Sequence, residues 1–299
     1  MKRVKFTLLS KDIQDLLKRV GAEADRAGVR VYLVGGVVRD LLLGQASSDI
    51  DIVVEGDGFA FARKLAYKLK VEAVFHERFR TAALALKDGM ILDVVTARRE
   101  TYAPPGALPD IVPATMKEDL LRRDFTVNAL AAGLNADNYG VLRDDVEGAA
   151  DLEAKLIRVM HEHSFLDDPT RILRAARYAV RFGFQFDALT QDLLNQAVDQ
   201  DVFKTLTPAR YFLELRRILE EKDPLPALDL LMAWGAVRYV PYDAGDRTRL
   251  AATGQDAPWE VCLAALLKGM TRAQVDALCI LFNISKSSRQ KIAQALQAS

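Results

Sequence analysis

The stretch that decides the fold is Val31-Tyr32-Leu33-Val34-Gly35-Gly36-Val37-Val38-Arg39-Asp40, followed after a short loop by Ser48-Asp49-Ile50-Asp51-Ile52-Val53-Val54. An apolar strand leads into a Gly-Gly turn and a helix, and the next strand carries two carboxylates one residue apart. Because residues i and i+2 of a strand point to the same face, Asp49 and Asp51 project together. Two carboxylates this close resist joint ionisation without a counter-charge. The pattern therefore predicts a divalent metal, and Mg²⁺ is the cation that binds carboxylates together with substrate phosphates.

The Gly-Gly turn predicts a phosphate site beside this metal. Backbone N–H groups at a helix N-terminus favour an anion, so we assign Gly35, Gly36 and the nearby Arg39 to triphosphate binding. Taken singly, a Gly-Gly pair is compatible with a plain tight turn, and Asp-x-Asp with a solvated strand end. Their order within about twenty residues favours one shared site for phosphoryl or nucleotidyl transfer.

The composition is that of a globular protein with one large domain or two moderate ones. The chain has 299 residues, of which 50% are hydrophobic and 27% are charged. Its 41 basic and 41 acidic residues cancel, so contacts with nucleic acid have to come from local basic patches. The two cysteines, Cys262 and Cys279, lack the spacing of a zinc site. No segment resembles a signal peptide or a bilayer span, so we expect a cytoplasmic protein without a membrane partner. The sequence leaves the oligomeric state open.

Short apolar runs and helical periodicities divide the chain into two regions. Strand-like runs occupy 30–34, 49–54, 71–75, 82–86 and 90–95, and the last three are close enough in sequence to pair antiparallel. From about residue 160 the pattern is helical to the end. We therefore predict an α+β fold, in which a catalytic head with a mixed, largely antiparallel sheet (residues 1–155) precedes an all-helical region (residues 156–299).

A third carboxylate interrupts the apolar strand Met90-Ile91-Leu92-Asp93-Val94-Val95. A lone buried carboxylate is costly, and a strand beside the Asp-x-Asp strand brings Asp93 to the same metal site. Three carboxylates can hold two Mg²⁺ ions, one at the attacking hydroxyl and one at the leaving phosphates. The alternative is a strand-end residue that faces water.

The segment Asp119 to Leu130 contains donors suited to a nucleotide. Arg122 and Arg123 offer guanidinium groups to phosphates. If the segment is helical, Asp124 and Asn128 lie one turn apart and can jointly hydrogen-bond a ribose hydroxyl. The alternative is a capped helix start with mixed charges.

A second candidate helix begins at Asp167-Asp168-Pro169-Thr170-Arg171. Asp168 is placed to cap it, with Pro169 at its first position. Asp168 and Arg171 then present an acceptor and a fork of donors that match the edge of cytosine or adenine, and Arg174 and Arg177 continue the same face. The alternative is a helix with ordinary intrahelical ion pairs.

In this order the motifs resemble those of the class II tRNA nucleotidyltransferases, the CCA-adding enzymes, and their bacterial poly(A) polymerase relatives. The likeness covers roughly residues 30–220 and includes Arg-Arg-Asp-Phe-Thr-x-Asn-Ala at 122–129 and Asp-Asp-Pro-x-Arg at 167–171. The family usually has Glu where Asp167 stands. The resemblance implies metal binding by Asp49 and Asp51, ribose discrimination by Asp124 and Asn128, and selection of CTP and ATP by Asp168 and Arg171.

Two further segments carry the resemblance. A family motif matches Thr207-Pro208-Ala209-Arg210, although the family usually has an acidic residue at the position of Ala209. Arg210 and Glu214 have the spacing of a helical ion pair. The loop from Arg98 to Lys117 is long, whereas relatives that add only CC tend to have it shortened.

The resemblance implies a template-independent enzyme that adds the 3′-terminal CCA, or part of it, to tRNA from CTP and ATP. The head then carries catalysis with two Mg²⁺ ions, and the helical region selects the nucleotide and binds RNA. Enzymes that add only the terminal A, or poly(A), are alternatives in the same class. A nucleotide-binding module without turnover is a third, which the three retained carboxylates disfavour.

Overall fold

The structure is a computed structural model that describes residues 2–46, 50–86, 89–103 and 105–298. The chain divides into two compact units. The first comprises Met1–Ala103 and Leu108–His161, and the second comprises Pro104–Ala107 and Glu162–Ser299.

The first unit combines a sheet with five α-helices in its described residues. The helices are α1 (Lys11–Ala27), α2 (Gly36–Leu42), α3 (Gly58–Leu69), α4 (Met116–Leu121) and α5 (Gly148–Ala154). The strands are β1 (Arg30–Val34), β2 (Ile50–Glu55), β3 (Glu72–His76), β4 (Thr81–Ala85), β5 (Ile91–Thr96), β6 (Arg98–Thr101), β7 (Asp110–Pro113), β8 (Leu130–Gly133), β9 (Leu142–Asp144) and β10 (Leu156–Ile157).

Seven of these strands form one mixed sheet in the order β3-β4-β5-β2-β1-β8-β9. The β2–β5 pair is parallel, and the other five pairs are antiparallel. The predicted mixed, largely antiparallel sheet is therefore confirmed, as is the antiparallel succession of the three runs that became β3, β4 and β5. Strands β6 and β7 pair with each other as a separate hairpin. They lie within the segment from Arg98 to Lys117, which the sequence indicated as a long loop.

Helix α1 closes one face of this sheet because its apolar residues recur at helical spacing. Ile13, Leu17 and Val20 are buried on that side. The helix begins at Ser10, whose hydroxyl accepts a hydrogen bond from Ile13 N, and it ends at Gly28 with φ 66°. Helix α3 contacts strands β2 to β5 and covers a further part of the same sheet face.

Helix α4 covers part of the opposite face. Met116 and Leu120 pack against a cluster that includes Tyr32, Val34 and Val53. Each buried side chain of this size contributes about 1.5–3 kcal/mol. A capping box between Thr115 and Glu118 fixes the start of the helix, so the loop that follows β7 enters the core at a defined position.

The second unit is helical apart from the two-residue strand β11, Gln185–Phe186. The predicted helical body is thus confirmed, although the short strands β10 and β11 lie within residues 156–299, which were predicted to be all-helical. Within the described residues, no helix combines the length and the apolar composition needed to span a bilayer. The α-helices of the second unit are α6 (Ser164–Asp167), α7 (Thr170–Phe182), α8 (Ala188–Asp199), α9 (Pro208–Leu219), α10 (Leu225–Ala233), α11 (Ala244–Ala251), α12 (Trp259–Leu267), α13 (Arg272–Leu281) and α14 (Lys286–Ala298).

Tyr211 anchors the loop after α10 to helix α9. Its side chain is buried, and its hydroxyl accepts from Arg238 N at 2.9 Å and donates to Ala236 O at 3.2 Å. Burial raises the pKa of Tyr211 to about 12, so the hydroxyl keeps its proton and remains a donor throughout the physiological range.

A buried ion-pair cluster joins α4 to the β6–β7 hairpin. Asp119 is fully buried and accepts from Arg122 at 2.7 Å and Arg123 at 3.0 Å. Arg122 also pairs with Glu100 at 3.0 Å, and Glu100 pairs with Arg98 at 2.9 Å. Burial by itself raises a carboxyl pKa, but the guanidinium groups outweigh it and hold the pKa values of Asp119 and Glu100 below their usual range.

This cluster predicts a loss of stability in acid. The folded-state pKa of Asp119 lies below its unfolded value of about 3.9, so its contribution is complete above that pH and is lost as the pH falls through the folded value. Asp119→Asn should lower the free energy of unfolding by about 3 kcal/mol at pH 7, because it leaves buried guanidinium groups without their carboxylate. It should also flatten the acid limb of the stability curve. Urea unfolding between pH 3 and pH 7 measures both effects.

The matched control is Asp15→Asn, which removes an exposed carboxylate that pairs with Lys11 and Lys18 on α1. Exposed pairs of this kind contribute little, so the control should unfold like the wild type at every pH. Equal acid curves for the wild type and Asp119→Asn would contradict the structural role of the cluster.

Candidate active site

The register of β2 and β5 places two of the predicted carboxylates side by side. Asp51 and Asp93 are direct partners in the parallel pair, so their side chains leave the same face of the sheet. Both are partly buried. The third predicted carboxylate, Asp49, lies outside the described residues.

The donor chemistry of this pair fits a Mg²⁺ ion shared with a substrate. Mg²⁺ is usually bound by one or two carboxylates, with water and substrate phosphates completing its coordination. Among residues that the structure describes, no group of three or more His, Cys, Asp or Glu side chains is positioned to hold a metal. Two carboxylates on adjacent strands therefore suit an ion that binds together with a phosphate ligand.

The Gly-Gly turn lies at the end of the sheet where β2 begins. Strand β1 runs antiparallel to β2 with Leu33 opposite Ile52, and β1 ends one residue later. Gly35 has φ 70°, a conformation that favours glycine, and a Cβ atom there would lie 2.9 Å from Arg123 Nη1. The backbone conformation is what favours glycine at Gly35, and the Arg123 guanidinium lies close to the turn.

Arg39 belongs to a buried hydrogen-bond chain. Its Nε and Nη2 donate to Asp40 Oδ1 at 2.9 and 2.8 Å, and its Nη1 donates to Asn128 Oδ1. Asn128 Nδ2 in turn donates to Asp124 Oδ1 at 3.0 Å. This chain fixes helix α2 to the segment that carries Asp124 and Asn128. Asp40 belongs to the Arg39-Asp40 part of the head motif, but sequence reasoning gave it no role of its own.

Asp124 and Asn128 come together without the helix that their spacing suggested. Helix α4 ends at Leu121, and a 3₁₀ helix covers Thr126–Asn128. Phe125 is extended and pairs with Val159, which breaks the helical path between the two. The turn still closes the hydrogen bond between Asn128 and Asp124, and both side chains are buried.

The two adjacent arginines have different surroundings. Arg122 donates to Asp119 and Glu100, so it belongs to the ion-pair cluster. This structural role is additional to the predicted phosphate contact. Arg123 donates to Asp119 from Nη2 and lies against the Gly35 turn. Among the described residues its buried Nε has no hydrogen-bond acceptor. Arg123 is therefore the better placed of the two for a phosphate at the turn.

In the second unit, Asp168 lies at the start of α7. Its Oδ1 accepts from Thr170 N at 3.0 Å and from Thr170 Oγ1 at 2.6 Å, as expected of a capping residue. Helix α7 begins at Thr170, one residue after the predicted position. Asp168 also accepts from Arg210 Nη2 at 3.0 Å. Arg171 is buried and donates to Ser164 Oγ.

Arg174 and Arg177 are held by ion pairs with a neighbouring helix. Arg174 lies 3.4 Å from Glu214 of α9, and Arg177 lies 3.4 Å from Glu221, which follows α9. The predicted pair between Arg210 and Glu214 is wrong, because Arg210 turns to Asp168 while Glu214 receives the arginines of α7 and Arg217. Helical spacing could not reveal these partners because they lie about forty residues apart in sequence.

Most of the chain is similar to known proteins. The family model described as the poly(A) polymerase head domain matches residues 31–158. The A-adding tRNA nucleotidyltransferase of Geobacter sulfurreducens is 41% identical over 228 residues, which is 76% of this chain and 26% of that protein. The CC-adding tRNA nucleotidyltransferase of Deinococcus radiodurans is 41% identical over 229 residues, 77% of this chain and 59% of that protein.

The structural similarity extends through both units. The Thermotoga maritima CCA-adding enzyme, solved in complex with tRNA, has a TM-score of 0.80 and 32% identity, covering 99% of this chain and 73% of that one. The chain spans 26% and 59% of the length of the two sequence relatives. Since the fold, the head motifs and the identity over almost the whole chain agree, the chain belongs to the class II tRNA nucleotidyltransferase family.

Proposed function

We propose that this chain is a template-independent nucleotidyltransferase that adds the 3′-terminal CCA, or part of it, to tRNA from CTP and ATP. The observation that carries the proposal is the register pair of Asp51 and Asp93 beside the Gly35 turn. Carboxylates that bind a cation and a turn that receives phosphates are the two requirements of nucleotidyl transfer. The names of the relatives, A-adding, CC-adding and CCA-adding, supply the RNA substrate and the two nucleotides.

A nucleotidyltransferase of this family uses a divalent metal, and we propose that it is Mg²⁺, with two ions bound in the active complex. Asp51 and Asp93 would hold them together with Asp49, which its Asp-x-Asp spacing assigns to the same face. When bound, such ions activate the attacking hydroxyl and neutralise charge on the phosphates. The carboxylates keep the 3′ hydroxyl of tRNA and the α-phosphate of the nucleotide in line, so the new phosphodiester forms as pyrophosphate leaves.

We assign the triphosphate to the Gly35-Gly36 turn. Arg123 offers its guanidinium beside the turn, and Arg122 supports Arg123 through their shared partner Asp119. Arg39 stiffens the base of the turn through its bonds to Asp40 and Asn128. The same chain fixes Asp124 and Asn128, which we assign to the ribose hydroxyls.

Base selection belongs in this proposal to Asp168 and Arg171. A carboxylate acceptor and a guanidinium donor fork can pair with the edges of cytosine and adenine and not equally with those of uracil and guanine. Thr170 and Arg210 fix the orientation of Asp168, and Ser164 fixes that of Arg171. Arg174 and Arg177 hold α7 through Glu214 and Glu221. Because Asp168 and Arg171 are fixed in this way, they can discriminate between bases without a nucleic-acid template.

An enzyme that adds only the terminal A is the second candidate, because an A-adding protein is 41% identical to this chain. The long loop between Arg98 and Lys117, whose ends form the β6–β7 hairpin, also accords with addition of A. The cytoplasm is the proposed site of action, since Cys262 and Cys279 remain unpaired.

Primer extension separates the candidates. Purified protein with Mg²⁺ receives tRNA transcripts that lack CCA, end in C or end in CC, together with a non-tRNA oligonucleotide. We expect all three tRNAs to be extended to CCA when CTP and ATP are both present. Addition of A to the CC end alone identifies the A-adding candidate. Long adenylate tails on the oligonucleotide, or no incorporation anywhere, would contradict the proposal.

The carboxylates should be indispensable for transfer. Asp51→Asn and Asp93→Asn remove the charge without changing side-chain size. Loss of a residue that only supports a metal ligand lowers activity up to about a hundredfold, so loss of a ligand itself should lower kcat by more than that. Asp12→Asn is the matched control, since Asp12 is an exposed carboxylate of α1 in the same unit. Single-nucleotide incorporation measures the rates, and circular dichroism confirms the fold. Wild-type kcat in either active-site variant would refute the assignment of that residue.

A further inference from the structure

Part of the sheet face that carries the carboxylates is open to solvent and apolar. Val74 of β3 is 59% exposed and Ile91 of β5 is 55% exposed. Between them lie Ala83, which is partly buried, and Ala85, which is exposed. We call these four residues the open sheet face.

The strand registers make the open sheet face continuous with the candidate metal site. Asp93 is the partner of Ala83, and Ala83 is the partner of Val74, so one row runs from Asp51 through Asp93 and Ala83 to Val74. Ile91 and Ala85 form the adjacent row on the same face, and this row ends at the exposed Glu72 of β3, the partner of Ala85. Asp51 and Asp93 therefore lie at one margin of a surface three strands wide, which is apolar apart from Glu72 on its outer strand.

The other face of the same strands is closed. Leu84 and Leu92, which alternate with the open residues along β4 and β5, are fully buried, and α3 contacts these strands. A two-layer unit needs only one face of a sheet for its core. Large apolar side chains that remain exposed on the second face, beside charged site residues, indicate a binding surface.

The geometry of the reaction indicates what binds there. In an in-line displacement the attacking oxygen and the leaving group lie on opposite sides of the phosphorus atom. The Gly35 turn, assigned to the triphosphate, follows β1 on one side of β2, whereas β5, β4 and β3 follow on the other. With pyrophosphate leaving toward β1, the hydroxyl nucleophile has to arrive from the side of the open sheet face.

The surface also has the chemistry of an RNA contact. Alanine side chains leave a shallow floor, and exposed aliphatic groups can pack against ribose and base faces whatever the base. Arg78 and Arg80 lie in the connection between β3 and β4, and both are exposed. In the part of the chain that the structure describes, neither has a carboxylate within ion-pair distance, so both are available to backbone phosphates.

We propose that the open sheet face seats the 3′-terminal nucleotides of the RNA acceptor, with Arg78 and Arg80 binding its phosphates. The proposal rests on the proposed function, since it takes the direction of attack from the assigned triphosphate site. It adds a surface that is separate from both the carboxylates and the base-selecting residues.

The test places a negative charge on this surface. Val74→Glu and Ile91→Glu change exposed side chains, and each should raise KM for a tRNA ending in CC at least tenfold while KM for ATP stays within twofold. Tyr67→Glu is the matched control, because Tyr67 is an 83% exposed side chain of α3, on the closed side of the sheet. It should leave both KM values unchanged.

The outcomes distinguish the surface from the function. If the wild type transfers nucleotides and Val74→Glu and Ile91→Glu behave like Tyr67→Glu, the open sheet face does not bind the acceptor and the inference is overturned. If the wild type transfers nothing, the proposed function fails first. Equal rises in both KM values would show a general disturbance of the site, which also contradicts a surface specific for RNA.

A binding measurement tests the cationic part without catalysis. The double variant Arg78→Ala, Arg80→Ala should weaken binding of the same tRNA and lower the slope of log Kd against log salt by about 1–2, because two phosphate contacts are lost. An unchanged slope would show that Arg78 and Arg80 do not bind the phosphates of the tRNA. Thermal unfolding of every variant, compared with the wild type, confirms that the head remains folded.

Discussion

The parallel register of β2 and β5 is the constraint on which the candidate site depends. It places Asp51 beside Asp93 on one sheet face, although like charges directly opposite each other destabilise a pair of strands. Two carboxylates on directly opposed residues repel each other electrostatically. A bound cation converts this repulsion into attraction. The register is therefore compatible with the proposed cation beside Asp51 and Asp93.

Arginines that are fully or partly buried fix several of the segments that carry candidate site residues. Arg39 joins the Gly35 turn to Asn128, and Arg122 joins α4 to the β6–β7 hairpin. In the helical unit, Arg210 has the corresponding role at Asp168. Each arginine can satisfy several acceptors from a planar fork, which suits it to fixing loops that carry functional groups. Much of the basic charge near the motifs therefore has a structural role in these hydrogen bonds and ion pairs.

The sequence predicted the strands where the pattern was local. The five apolar runs fall within one residue of β1 to β5, because β-branched runs between turns need no tertiary information. Strands β8 and β9 were missed, since Leu130–Gly133 and Leu142–Asp144 are too short and too rich in small or charged residues to show alternation. Glu100 as a partner of Arg122, and the partners of Arg174 and Arg210, were missed because they come from distant elements. Asp124 and Asn128 met as predicted, but through a turn that hydrophobic periodicity does not reveal.

The most direct test of the metal assignment is an anomalous difference map from a crystal grown with Mn²⁺ and a non-hydrolysable analogue of CTP. Mn²⁺ shares the oxygen ligands of Mg²⁺ and scatters anomalously. The account predicts a peak at the start of β2, with a carboxylate oxygen of Asp51 or Asp93 within about 2.0–2.3 Å, and the triphosphate of the analogue on the side of the Gly35 turn. A nucleotide bound with its manganese away from both carboxylates would contradict the central claim.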